Sequence, residues 1–241
     1  MSLSVNTIHP VPRFFALIPA AGVGARMQAA CPKQYMELLG EPVLWHSIKA
    51  FLACQEIESI YIIVSPEDTW LERIAAGCPG RDSGHVHFLR CGGATRRETV
   101  MNGLNAMSTE CARNDWILVH DAARPGLTPE LVRRLIQDAA GKRAGGILAL
   151  PIADTVKRQT EKRIVTVSRE GLWLAQTPQM FPYAILREAL GKYENVTDEA
   201  GAVEAMGLNP RLVEGHLRNI KITRPSDLAF VEMLMKAGNG V

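Results

Sequence analysis

Short, continuous apolar runs separated by helical patterns constrain the fold most. RFFALIP (Arg13 to Pro19), IESIYIIV (Ile57 to Val64), WILV (Trp116 to Val119) and GGILALP (Gly145 to Pro151) carry apolar side chains at consecutive positions. A strand tolerates that only where both of its faces are buried. Between the first two runs, Leu44, Trp45, Ile48, Phe51 and Leu52 share one face at helical spacing, and Pro42 suits the first turn. Asp68 to Ala76 and Thr95 to Met107 read as further helices around a strand at Val86 to Leu89, and Thr128 and Pro129 form an N-cap and first-turn pair for LTPELVRRLIQDAA. Strands alternating with helices predict an α/β fold, a mostly parallel sheet covered on both faces.

The rhythm breaks at Asp154. DTVKRQTEKRIVTVSREGLWLAQ (Asp154 to Gln176) alternates, turns and has no helical stripe, which predicts a β-hairpin arm. Helices at about Tyr183 to Lys192 and Asp198 to Met206, short strands at Arg211 to Glu214 and Ile220 to Ile222, and a helix from Pro225 complete the pattern. No repeat and no linker divides the 241 residues, so one domain spanning 1–241 is expected, with 154–176 as its arm.

The charge balance, 27 basic against 25 acidic residues, argues against bulk nucleic-acid or membrane-surface binding. Anion recognition should therefore come from local clusters. Five scattered cysteines without a C-x-x-C pair fit reduced thiols, and no apolar run approaches a signal core or a membrane span. A soluble, cytoplasmic protein is expected.

The segment Pro19-Ala20-Ala21-Gly22-Val23-Gly24-Ala25-Arg26 places small residues after a strand, where main-chain N–H groups can approach a phosphate. A dinucleotide-binding loop would need glycine at Met27, and a P-loop would need Gly-Lys-Ser/Thr; neither is present. Instead Arg26 and Lys33 flank Cys31-Pro32, which prevents a continuous helix, so two cations can fold over one anion. Such a pair suits a displacement at phosphorus, where charge builds on the non-bridging oxygens. A solvated basic loop is the blander alternative.

Two further segments share this character. Gly92-Gly93-Ala94-Thr95-Arg96-Arg97-Glu98-Thr99 leads from a strand into a helix N-terminus, which attracts anions. Val119-His120-Asp121-Ala122-Ala123-Arg124 carries a buried strand into a carboxylate, at the sheet edge where ligands bind. Asp121 suits Mg²⁺ held with nucleotide phosphates, the alternative being a helix cap paired with Arg124. His46, His85 and His87 read as structural, and no Cys/His set has zinc spacing.

PAAGVGARMQAACPKQY, GGATRRETV, VHDAARP, DTVKR, GLWLAQTPQMF, TDEA and NIKITRP occur in the order and spacing found in the 2-C-methyl-D-erythritol 4-phosphate cytidylyltransferase family, which the chain resembles from about Phe14 to Leu234. The resemblance implies a Rossmann-like nucleotidyltransferase with a projecting arm that builds a homodimer, using CTP, methylerythritol phosphate and Mg²⁺ or another divalent cation. It implies that Ala20, Ala21, Gly22, Gly24, Gly92, Gly93, Arg96, Thr99, Asp121 and Ala122 surround the nucleotide. By the same resemblance Arg26 and Lys33 stabilise the pentacoordinate α-phosphate, Arg169 and Lys221 position the substrate phosphate as catalytic residues, and Arg124 and Thr155 approach the substrate. Two departures stand out: Ala94, where some relatives carry Asp, and His216-Leu217-Arg218, a stretch often smaller and acidic. A ribitol 5-phosphate cytidylyltransferase is the neighbouring alternative, and a non-catalytic nucleotide-binding module the alternative of another class.

Overall fold

The computed structural model describes residues 11–22 and 31–237. In chain order, β1 (Phe14–Pro19) is followed by a 3₁₀ turn at Lys33–Tyr35, a short ladder of β2 (Glu37–Leu38) and β3 (Glu41–Pro42), and then α1 (Val43–Leu52). Next come β4 (Ile57–Ile63), α2 (Leu71–Ala75), β5 (Val86–Leu89), α3 (Arg96–Ala106), β6 (Trp116–Val119), α4 (Pro129–Ala139) and β7 (Gly146–Pro151). The arm strands β8 (Val156–Gln159) and β9 (Ile164–Val167) precede β10 (Trp173–Pro182), α5 (Tyr183–Lys192), α6 (Glu199–Ala205), β11 (Arg211–Glu214) and α7 (Pro225–Lys236).

Seven strands form one sheet in the order β11-β7-β10-β6-β1-β4-β5. All neighbours pair in parallel except β10, which runs antiparallel to both β6 and β7. The continuous apolar runs now divide by parity, since successive side chains of a strand point to opposite faces. Ala16 and Ile18 of β1 pack with Leu44, Ile48 and Phe51 of α1 and Leu131 and Leu135 of α4. Phe15 and Leu17 pack on the other face with Val100 and Leu104 of α3 and Leu186 of α5.

Local signals set most boundaries. Thr95 caps α3 in a capping box with Glu98, and Thr128 accepts from Leu131 N–H ahead of Pro129 at the start of α4. Three expectations change. The helix predicted over Asp68 to Ala76 begins at Leu71, because the Asp68 carboxylate accepts from the N–H groups of Trp70 and Leu71 and so ends the preceding loop. The strand predicted at Ile220 to Ile222 is not one: Ile222 donates to Ala123 O at 2.8 Å, its own carbonyl accepts from Lys33 Nζ, and its side chain is buried beside Val43 and Val231. The arm is a β8–β9 hairpin, but residues from Trp173 onward pair with β7 in the central sheet, so the predicted arm ends earlier than Gln176.

One glycine shows how closely α3 rests on the sheet. A Cβ on Gly103 would stand 2.8 Å from Ile63 Cγ1 and 3.1 Å from Leu17 Cδ1. In an exposed helix, Gly→Ala gains up to about 1 kcal/mol. Here overpacking reverses the sign, and Gly103→Ala should lower the unfolding free energy in urea by about 1–3 kcal/mol; a gain would show that the helix can move away without cost.

Candidate active site

β1, β4, β5 and β6 are parallel, so the residues that follow them gather at one sheet edge, where open α/β sheets bind ligands. An open cavity lies there. Ala20, Ala21 and Gly22 form one wall after β1, and Gln34, almost fully buried, donates through Nε2 to Ala20 O at 2.7 Å and Gly22 O at 3.1 Å. Gly93 and the first turn of α3, with Arg96 and Thr99, form a second wall. Gly92 stands behind it: a Cβ there would lie 2.4 Å from Ala21 Cβ and 2.8 Å from Val64 O, so only glycine lets the two loops meet. Thr99 Oγ1 accepts from Gly93 N–H at 3.1 Å and donates to Thr95 O at 2.9 Å, which ties the loop to its helix.

Asp121 and Ala122, after β6, complete the cavity together with Lys33 and Lys221. Lys33 Nζ donates to Ile222 O at 3.2 Å, next to Lys221, so two ammonium groups from opposite ends of the sequence line one space. Asp121 is 7% exposed. Its Oδ1 accepts from Arg96 Nε at 2.9 Å, and its Oδ2 meets Lys221 Nζ at 2.9 Å and Arg124 Nε at 3.3 Å. Burial pushes the carboxyl pKa up, but Arg96, Lys221 and Arg124 outweigh it and hold the group well below the usual carboxylate range. Among the described residues, Asp121 is the single acidic side chain on the cavity wall, and no cluster of three potential metal ligands occurs.

Behind Asp121, a neutral imidazole is built in. Asp121 N–H donates to Thr177 Oγ1 at 3.0 Å, Thr177 Oγ1 meets His120 Nδ1 at 3.0 Å, and His120 Nε2 meets Arg124 O at 3.2 Å. A carbonyl can only accept, so Nε2 carries the proton and Nδ1 accepts from the threonine hydroxyl. His120 is fully buried, which lowers its pKa to about 4.

Comparison with known proteins decides the family. The model of the 2-C-methyl-D-erythritol 4-phosphate cytidylyltransferase family matches residues 14–237. The chain belongs to this family. A relative named 2-C-methyl-D-erythritol 4-phosphate cytidylyltransferase from Dechloromonas aromatica (strain RCB) is 48% identical over 229 residues, covering 94% of this chain and 99% of that protein. A crystal structure of a 4-diphosphocytidyl-2C-methyl-D-erythritol synthase superposes with a TM-score of 0.81 at 42% identity, covering 93% and 99% of the two chains. The 2-C-methyl-D-erythritol 4-phosphate cytidylyltransferase of Thermus thermophilus does so with 0.74 at 31% identity and the same coverage.

Within this cytidylyltransferase-family chain, the residues expected around the nucleotide line this cavity, except Gly92, which stands behind its wall, and Gly24, which with Arg26 lies outside the described residues. Arg124 sits behind Asp121, donating also to Asn219 O at 2.8 Å. Thr155 and Arg169 are exposed on the arm and line no part of this cavity; Arg169 Nη1 donates to Ala153 O. The expected alternative of Asp121 as a helix cap does not hold, since its oxygens take side-chain cations, although Arg124 is among them. His46 and His85 bond the main-chain carbonyls of Leu38 and Glu58, as structural histidines do. Sequence reading missed Glu199, Gln34, Thr177 and Asn219, all buried; each lies within one of the quoted motifs, which carry no signal of what these side chains bind.

The imidazole sets a pH dependence. The folded-state pKa of His120, about 4, lies below the ordinary value of 6.5, so as pH falls the unfolded chain takes up the proton first. Its contribution is complete above pH 6.5 and lost progressively down to about 4, by on the order of 3 kcal/mol in all. The wild-type chain should therefore lose stability relative to His120→Gln between about pH 7 and 4.5 in urea titrations. Parallel pH profiles would exclude a neutral, buried His120.

Proposed function

We propose that the chain transfers CMP from CTP to 2-C-methyl-D-erythritol 4-phosphate, releasing pyrophosphate and giving 4-diphosphocytidyl-2-C-methyl-D-erythritol for isoprenoid biosynthesis. Family membership over residues 14–237 makes it a nucleotidyltransferase. The observation that carries the mechanism is the meeting of Lys33 and Lys221 in one cavity bounded by a glycine loop and the N-terminus of α3. A triphosphate laid along that wall meets main-chain N–H groups, a helix dipole and two ammonium groups.

A 4-phosphate oxygen attacks the α-phosphorus in line, one P–O bond forms, and the bond to the pyrophosphate oxygen breaks. The nucleophile is already an anion near neutral pH, so the protein aligns and neutralises charge and needs no general base. Lys33 neutralises the charge growing on the α-phosphoryl oxygens, and Arg26 does the same from the glycine loop. Lys221 and Arg124, both bonded to Asp121, meet the substrate phosphate.

Mg²⁺ fits the residues present. It asks of a protein only one or two carboxylates and keeps water and phosphate oxygens as its other ligands, and the cavity wall supplies one carboxylate, Asp121, that its cationic neighbours hold ionised near neutral pH. Held there, the ion would neutralise charge on the triphosphate and on the departing pyrophosphate.

The arm supports a homodimer. Ile164 (68% exposed), Trp173 (39%) and Leu174 (56%) leave apolar surface on and beside the hairpin, and an isolated hairpin is marginal in water. Thr155 and Arg169 then serve the site of the neighbouring subunit. No helix among the described residues is long and apolar enough to cross a membrane, and a soluble, cytoplasmic enzyme that binds no nucleic acid is the accompanying reading.

Two measurements test this. Pyrophosphate release should require both CTP and methylerythritol phosphate, with ribitol 5-phosphate a poor substitute, and Lys33→Ala should lower kcat on the order of 10²- to 10³-fold while CTP still binds; a change confined to KM would remove Lys33 from the transition state. Mixing Arg169→Ala with Lys33→Ala under subunit exchange should restore about half of wild-type activity per mixed dimer, because one of the two sites collects both lesions. Confirmed exchange without recovered activity would place Arg169 in its own subunit's site.

A further inference from the structure

The least expected feature of the site is a second carboxylate behind Arg96. Glu199, the first residue of α6, is 1% exposed and takes both terminal nitrogens of the Arg96 guanidinium, Nη1 at 2.6 Å on Oε1 and Nη2 at 3.0 Å on Oε2. The remaining nitrogen, Nε, reaches Asp121 Oδ1 at 2.9 Å. A guanidinium prefers to grip a carboxylate with two parallel N–H bonds. Glu199 claims that grip, and Asp121 receives a single bond from the side of the fork.

Glu199 is also held from behind. Asp198 caps α6 by accepting from Gly201 N–H, and its other oxygen accepts from Gln179 Nε2 at 2.8 Å. Gln179 Oε1 in turn accepts from Ala200 N–H at 2.8 Å. The start of α6 is thereby fastened to β10, which lies beside β6, the strand that leads to Asp121.

We infer that Glu199 is a positioning residue, which by occupying both terminal nitrogens of Arg96 limits that arginine to one bond with Asp121 and keeps Asp121 Oδ2 for exchange between Lys221, Arg124 and the cation that accompanies CTP. This rests on the proposed use of CTP with a divalent cation. The chemistry follows from charge. Arg96, Lys221 and Arg124 bring three positive charges to Asp121, and Glu199 cancels one of them. Without that charge the site is more cationic and Arg96 is released to grip both oxygens of Asp121, so metal-free CTP binds more tightly and the metal ion is drawn in less strongly. The effect therefore appears in the coupling between the two ligands, which is a ratio of binding constants.

The test measures CTP binding by calorimetry, in EDTA and in saturating MgCl₂, without the second substrate. The coupling ratio is the Kd for CTP in EDTA divided by the Kd in MgCl₂. Glu199→Gln, which keeps the shape and loses the charge, should lower the ratio on the order of tenfold, and Glu199→Asp, which keeps the charge, should stay nearer wild type. A purely structural Glu199 would lower the melting temperature of both variants and leave the ratio unchanged in both, and that result overturns the inference. If Glu199→Gln does not fold, the double variant Glu199→Gln/Arg96→Gln carries the test: with both charges gone, Asp121 loses a competing cation and the ratio should equal or exceed that of wild type, whereas a fall overturns the proposal. Wild-type protein that binds CTP but releases no pyrophosphate with methylerythritol phosphate would overturn the functional reading and leave this ratio measurable. Wild-type protein that binds no CTP would overturn both.

Discussion

An ionised carboxylate, almost shut off from water, organises the cavity. Leaving Asp121 unpaired there would cost several kcal/mol, so the fold must deliver cations to it. Arg96 comes from the start of α3, Arg124 from the loop after β6, and Lys221 from the segment before α7. Three stretches far apart in sequence are held to one point by a requirement of charge. Buried ion pairs of this kind contribute little to net stability, because desolvation cancels most of the attraction. What they contribute here is register: a cavity with its cations at defined places before any ligand arrives.

The antiparallel strand β10 is then more than a connection. Thr177 takes the main-chain N–H of Asp121 and completes the bonding of the buried His120, while Gln179, two residues on, fastens the helix that carries Glu199. Asn219 adds a third tie, donating to Thr177 O at 2.7 Å and offering its own main-chain carbonyl to Arg124. Both carboxylates that hold Arg96 are thus braced from one strand. A scaffold of main-chain and amide bonds thus fixes the walls around the charged groups.

Much of the fold was legible because hydrophobic runs and caps are local signals. WILV became β6 with the bounds predicted, and Thr128-Pro129 opened α4 as its chemistry required. The glycine loop, GGATRRETV and VHDAARP were legible as site segments because small residues after strands announce an approach by something else. Ile220 to Ile222 misled because apolar alternation marks extended backbone in general, and whether its groups join a ladder or bond Ala123 and Lys33 is decided elsewhere in the chain. Trp173 misled for a related reason: exposure continues from the arm into β10 up to Ala175, so the composition changes later than the hydrogen bonding. Glu199 and Gln34 were illegible in principle. Their partners lie 103 residues away for Glu199 and at main-chain atoms for Gln34, and no periodicity encodes either.

Charge on the wall accounts for what the cavity can select. Among the described residues, Lys33, Arg96 and Lys221 face it against Asp121, with Glu199 behind, so the surface stays positive while Arg96 and Lys221 already hold a carboxylate within hydrogen-bonding distance. At an effective dielectric near 20, unit charges about 4 Å apart interact by about 4 kcal/mol. Two competing anions therefore differ mainly in what they take from Asp121, since cations drawn to a phosphate must leave a carboxylate of similar charge. A bare polyphosphate must break those pairs by its own charge. Under the proposed use of CTP with a divalent cation, that cation would offset at Asp121 the charge lost when Lys221 or Arg124 turns from the carboxylate to a phosphate. On that proposal, selectivity for the metal-bound nucleotide would follow from ion pairs at Asp121 that are strong enough to hold the site together and weak enough to be traded.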